Sequence, residues 1–223
     1  MSLIISHEHP EYRKARSLIG KDKWNGAYYY SIEICENIIP LVKTDRPWIT
    51  INVKDRRLGR DRAIVFVHNH KQCPQTYDWL AGYKDLVFVC SEKADMPKLE
   101  YLGTPVFLPL SVDTGYVEQF RSKKIKDVAF AGRPERAREY RLPDGIDCFG
   151  HLPREEFLAE LAKYRQIYAV DRVAIEAKVL GCEVLMPESV QDHWPVLDNK
   201  DAAKLLQEKL NEIDADQYSG NRI

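Results

Sequence analysis

The chain has 223 residues, enough for one large or two small domains, and is 44% hydrophobic and 30% charged. That balance excludes an intrinsically disordered chain, which would bury too little apolar surface to offset its conformational entropy. The 33 lysines and arginines face 34 aspartates and glutamates, a formal charge of -1, so no whole-molecule field draws the protein to nucleic acid or to an anionic membrane.

In chain order, short apolar runs alternate with stretches of helical period, which predicts parallel α/β architecture. Residues 3–5 read as a strand and 23–26 as a loop. Residues 27–42 carry apolar side chains at Ile32, Cys35, Ile38, Ile39 and Val42, a 3.6-residue stripe that predicts a helix. Residues 48–53 and 63–67 are strands, the second without a polar interruption, as expected of a strand covered on both faces. The charged stretch 54–62 between them is a loop.

A helix over 76–83, a strand over 85–90, a helix over 94–102 and a strand over 105–110 follow. Gly103 is expected to close the second of these helices in the left-handed conformation. Beyond Asp113 the pattern loosens through 113–126, read as a linker between residues 1–112 and 127–223. The second half then predicts a strand at 127–131, a turn at 132–134, a strand at 146–149 and a helix from Pro153 to Tyr164. A strand at 166–170, a helix at 172–180 closed by Gly181, a strand at 182–186 and a helix at 201–213 complete it. The tail from 214 to 223 reads as frayed.

No apolar run approaches the roughly 18–20 residues of a membrane span. The opening residues turn polar too soon for a secretory leader. Five cysteines (Cys35, Cys73, Cys90, Cys148, Cys182) lie far apart without a CxxC pair and read as free thiols, four of them inside apolar segments. A cytoplasmic protein without membrane contact is expected. His7 and His9 could pair on a metal, but no further ligand cluster accompanies them, so neither a metal nor any other cofactor is expected.

Chemistry-bearing groups collect at predicted strand ends, where ligands of open parallel sheets bind. His68 and His70 follow the buried strand 63–67; imidazole there can serve as general base or hydroxyl ligand near neutral pH. The loop 54–62 carries Lys54, Arg56, Arg57 and Arg60, a basic surface suited to an anionic acceptor such as DNA, or else a solvated loop.

The stretch Asp127-Val128-Ala129-Phe130-Ala131-Gly132-Arg133, the later Phe149-Gly150-His151-Leu152-Pro153-Arg154-Glu155-Glu156-Phe157, and Ile175-Glu176-Ala177-Lys178-Val179-Leu180-Gly181 together resemble the carboxyl-terminal donor domain of retaining GT-B glycosyltransferases. Leu110-Ser111-Val112-Asp113 and Ser91 are similar to that family's amino-terminal domain end, and the likeness spans roughly residues 85–213. It implies an α/β protein of two Rossmann-like parallel-sheet domains facing a cleft, the first on the acceptor side and the second binding the donor.

The resemblance further implies a metal-independent transfer of a sugar from a nucleotide diphosphate sugar to a hydroxyl acceptor, a glycan or modified DNA. Arg133 would fork onto phosphate, and Arg136 or Arg138 would replace the family's usual lysine. Glu176 would accept ribose hydroxyls, and Gly26 would let backbone approach the donor. The sequence departs from the pattern at Tyr168, where the family carries a second glutamate, and at Val170-Asp171-Arg172-Val173, where it has a glycine-rich loop. Arg172 can contact phosphate from that loop. The first half is short for the family, so the acceptor side is reduced or completed by a second copy in a homodimer. Two rivals follow from the same residues: a nucleotide-sugar binding module without catalysis, and a DNA-associated accessory protein acting through loop 54–62.

Overall fold

The computed structural model describes residues 4–5, 30, 32–46, 48–51, 61–67, 73–150, 152–187 and 194–220. Two compact units emerge. The described residues up to Pro109, together with those from Lys200 onward, make the first, and those within Leu110–Asn199 the second. The division therefore falls at Pro109/Leu110 rather than within 113–126, and the last helix groups with the first unit. The stretch read as a linker holds a short helix, α1 (Thr114–Glu118), whose first turn is capped by the Asp113 carboxylate accepting from the Tyr116 amide at 2.8 Å.

In the first unit, β1 (Ile4–Ile5), β2 (Trp48–Ile51), β3 (Ala63–Val67), β4 (Val87–Cys90) and β5 (Thr104–Phe107) form one parallel sheet in sequential order. All five side chains of β3 and all four of β4 are buried, as the uninterrupted apolar run predicts for strands covered on both faces. The stripe at 27–42 is helical where described, wound as a π-helix over Ile34–Ile38 and tightening to a 3₁₀ turn over Ile39–Leu41, with Pro40 in that turn. Tyr77, Leu80, Phe88 and Leu99 belong to the core beneath the sheet.

The helices expected at 76–83 and 94–102 are instead 3₁₀ turns, Asp78–Leu80 and Lys93–Asp95, continued by i→i+3 hydrogen bonds. Pro97 explains the second, since it brings no N–H to an α-ladder and its ring would strike the carbonyl four residues back. In the first, buried Tyr77 and Leu80 stand three residues apart, which a 3₁₀ turn places on one line. Gly103 also serves differently from expectation. A Cβ there would lie 2.3 Å from the Leu86 carbonyl oxygen, so close backbone approach demands the glycine.

In the second unit, β6 (Lys126–Ala131), β7 (Asp147–Phe149), β8 (Tyr164–Tyr168) and β9 (Glu183–Leu185) form a parallel sheet in the order β7-β6-β8-β9. The chain steps from β6 to one side and then returns to its other side. Between come α2 (Pro134–Glu139), α3 (Arg154–Leu161) and α4 (Asp171–Val179). Proline opens α2 at the position where its missing N–H costs nothing, so the expected turn at 132–134 leads into a helix. Gly181 ends α4 with φ of 77°, as expected. The core gathers Ala129, Ala131, Leu158, Leu161, Ile167, Ala174, Ile175 and Trp194.

The final helix, α5 (Asn199–Gly220), runs well beyond 213. Its extension is held within the first unit by Arg46, whose buried guanidinium donates to the Asp85 carbonyl at 2.8 Å, the Asp85 carboxylate at 3.0 Å and Asp214 at 2.9 Å. Arg62 joins the cluster through Asp85 and Asp45. Arg46, Arg62 and Asp85 all precede strands, so this network sits at the amino ends of the sheet. It is an architectural clasp, away from the strand ends where ligands bind.

Candidate functional site

In an open parallel sheet the ligand crevice forms outside the carboxyl ends of the strands, where strand order reverses. The second unit has that reversal between β6 and β8. The described strands of the first unit, in sequential order, have none. Ala131-Gly132-Arg133 after β6 and Tyr168 to Arg172 after β8 therefore frame the candidate site.

Two glycines shape the β6 side. A Cβ on Gly132 would meet the Phe130 ring at 2.6 Å, and one on Gly150 would meet the Gly132 carbonyl carbon at 2.5 Å. Backbone thus approaches backbone at the ends of β6 and β7, where the Gly132 amide donates to the Phe149 carbonyl at 2.9 Å. The chain then enters α2 with Arg133 as its N-cap residue, exposed; Arg138 is also exposed, and Arg136 is half-buried. Arg136 hydrogen-bonds Tyr140, and burial pushes the Tyr140 hydroxyl up in pKa.

On the β8 side, Asp171 opens α4 with φ of 55°, a left-handed conformation that aspartate tolerates better than most residues. One turn on lies Glu176, 1% exposed. Arg154, at the start of α3, grips it with two parallel hydrogen bonds of 2.9 and 2.6 Å. Arg172 Nε adds a third at 2.8 Å. Burial alone would push the Glu176 carboxyl up, but the two guanidinium groups overcome this and hold it below the usual carboxylate range. The carboxylate is therefore ionised, oriented, and filled at three of its roughly four acceptor positions. Tyr116 of α1 lies within the field of Arg154 and Glu176, and α1 packs on α4.

Of the sequence-derived residues, Arg172 and Glu176 come together in one cluster. Among the described residues, no hydrogen bond joins Arg133, Arg136 or Arg138 to it. Gly26, His68, His70, Lys54, Arg56, Arg57 and Arg60 lie outside the described residues. Arg154 is the residue that sequence reasoning missed. A cation in the first turn of a helix opposes the helix dipole, and that mismatch, beside Glu155 and Glu156, is the signal that something else holds it. Tyr168, half-buried at the end of β8, stands in register with Phe130 and Leu185.

Among the described residues, no group of three or more His, Cys, Asp or Glu side chains could hold a metal ion. None of the described helices is long and apolar enough to cross a membrane. The cysteines are free, and burial pushes the thiols of Cys73 to about 11 and Cys90 to about 12. No family model matches the chain, and no curated protein matches it significantly.

Proposed function

We propose that the second unit binds a nucleotide diphosphate sugar at the carboxyl ends of β6 and β8, and that the chain is a metal-independent glycosyltransferase acting on a hydroxyl acceptor. The observation that carries this reading is the reversal of strand order beside an ionised, buried Glu176 clamped by Arg154 and Arg172. Arg133, exposed at the end of β6, would fork onto the diphosphate, with Arg136 or Arg138 alongside and the first-turn amides of α4 opposite. Charge grows on the diphosphate as the sugar leaves, and fixed cations stabilise that charge more than the ground state. Glu176 would meet the ribose through its remaining acceptor capacity.

His68 and His70 as groups acting on sugar or acceptor, Gly26 at the donor, and Lys54, Arg56, Arg57 and Arg60 toward an anionic acceptor rest on their sequence positions. So does completion of the acceptor side by a second copy.

The burial of Glu176 favours a second reading. In it, the carboxylate holds Arg154 and Arg172 in place, ribose touches neither oxygen, and the unit binds nucleotide without transfer chemistry. One experiment separates the two. Thermal-shift titration with nucleoside diphosphates and their sugars identifies a binder, and release of free diphosphate is then followed with glycan and DNA acceptors. Release supports the transferase; binding without release supports the module; no binding by any nucleotide rejects both. Arg133→Ala should weaken binding by about 1.5–3 kcal/mol, the scale of a charged hydrogen bond, with folding intact by circular dichroism.

A further inference from the structure

The chain entering β6 carries Lys124, whose Nζ donates to the carbonyl oxygens of Ala162 and Leu180, each at 2.9 Å, and to Sγ of Cys182 at 3.2 Å. Ala162 and Leu180 are the C-cap residues of α3 and α4, so the ammonium sits where two negative helix ends converge. An ammonium has three donors, and two are fixed by carbonyls. The third faces sulfur. Loss of that proton leaves a nitrogen lone pair directed at Sγ. The separation of 3.2 Å falls within the ~3–3.5 Å at which reacting atoms are positioned for attack.

Cys182 is 7% exposed and donates its S–H to the Leu161 carbonyl at 3.5 Å. Burial pushes this thiol up in pKa, and the Lys124 ammonium draws it part of the way back. Neither residue takes part in the strand-end site.

We propose that Lys124 and Cys182 are a modification site, joined by hydrogen peroxide into a reversible lysine–cysteine sulfenamide. In the first step the Cys182 sulfur attacks one peroxide oxygen; the S–O bond forms, the O–O bond breaks, and thiol plus peroxide become sulfenic acid plus water. In the second, Lys124 gives one proton to solvent and its amine attacks the sulfenic sulfur. The N–S bond forms, the S–O bond breaks, and the departing hydroxide takes a second nitrogen proton to leave as water. Sulfur is oxidised by two electrons and the peroxide is reduced by two. The bond would tie the segment before β6 to the residue preceding β9, across 58 positions of sequence.

The test uses the reduced full-length protein, treated with hydrogen peroxide until half-buried Cys148 is oxidised, quenched with catalase and mapped by mass spectrometry without reductant. The expected product is a peptide joining Lys124 to Cys182, lighter than its two parts by two hydrogens, uncut by trypsin after Lys124 and released by dithiothreitol. Lys124→Arg keeps a cation at the two helix ends but offers no nucleophilic amine, so Cys182 should stop at a sulfenic acid that dimedone traps. The wild-type map decides even if that variant does not fold. Cys182 recovered as thiol, sulfinic acid or disulfide, with normal cleavage after Lys124, overturns the proposal. So does the same loss of mass at Cys182 in a folded Lys124→Arg protein.

Discussion

A glutamate with 1% exposure would ordinarily give up its charge, yet Glu176 keeps it because Arg154 and Arg172 attract the carboxylate more than burial penalises it. The pairing along α4 runs Arg before Glu, the less favourable direction for a pair four residues apart, so burial and the fork from Arg154 must supply most of its strength. Glu176→Gln keeps the shape but leaves two guanidinium groups, 14% and 11% exposed, without their counter-charge. Breaking such a pair costs about 3–5 kcal/mol. Residual exposure places this one near the lower bound, a fall in melting temperature of about 6–12 °C by calorimetry. The pH dependence follows from the lowered folded-state pKa. The contribution of Glu176 is complete above the unfolded value of 4.5 and is lost as pH falls through the folded one. Urea unfolding at stepwise lower pH should therefore show a steeper loss of stability in the wild type than in Glu176→Gln. Glu176 was legible as a candidate from its motif position, and Arg172 from the loop that departs from that motif. Their burial was not, because it depends on an arginine 22 positions upstream on another helix, a contact that no spacing rule encodes.

Strands were the elements most legible in the sequence, since a run such as Ala63–Val67 has only one way to hide five apolar side chains. Helices were less so. Apolar spacing over 94–102 suited an α-helix, but Pro97 forbids the ladder and the backbone takes 3₁₀ turns. The end of α5 was misread for a different reason. Polar residues after 213 predict fraying unless a tertiary contact holds them, and Arg46, far away in the chain, supplies it. Asp214 is 27% exposed in its side chain while Arg46 is fully buried, so loss of Asp214 takes the acceptor from Nη2 of a buried guanidinium whose Nη1 stays on Asp85. Asp214→Ala should lower stability by about 1–3 kcal/mol, the penalty of an unsatisfied buried donor. Hydrogen exchange should quicken in α5 beyond Leu210 while β3 and β4 keep their protection. Unchanged exchange in α5 would show that packing, with no help from the clasp, holds the helix.

The two sheets differ in what their strand orders permit. Both are parallel, and alternation of apolar runs with helical segments was enough to anticipate them. Strand order was not legible, because parallel neighbours are chosen by tertiary packing rather than by any local pattern. The consequence bears on function: among the described strands, only the order of those in the second unit reverses, and such a reversal is where ligands of open parallel sheets bind. A nucleoside diphosphate at 100 times its Kd should stabilise the protein by about 2.7 kcal/mol if it binds the folded state alone. Hydrogen–deuterium exchange then locates that stabilisation. Amides at the β6–α2 and β8–α4 junctions, around Arg133 and Asp171, should slow, while those at the amino ends of β2 to β4, beside the Arg46 clasp, should not respond directly. Gly150→Ala sharpens the test. Its new methyl group would press on the Gly132 carbonyl carbon at 2.5 Å and force β6 and β7 apart at the site, so ligand protection at Arg133 should be lost even where the rest of the sheet still folds. Protection centred instead on the first unit, unaltered by Gly150→Ala, would move the binding site away from the strand reversal and end the nucleotide reading of the second unit.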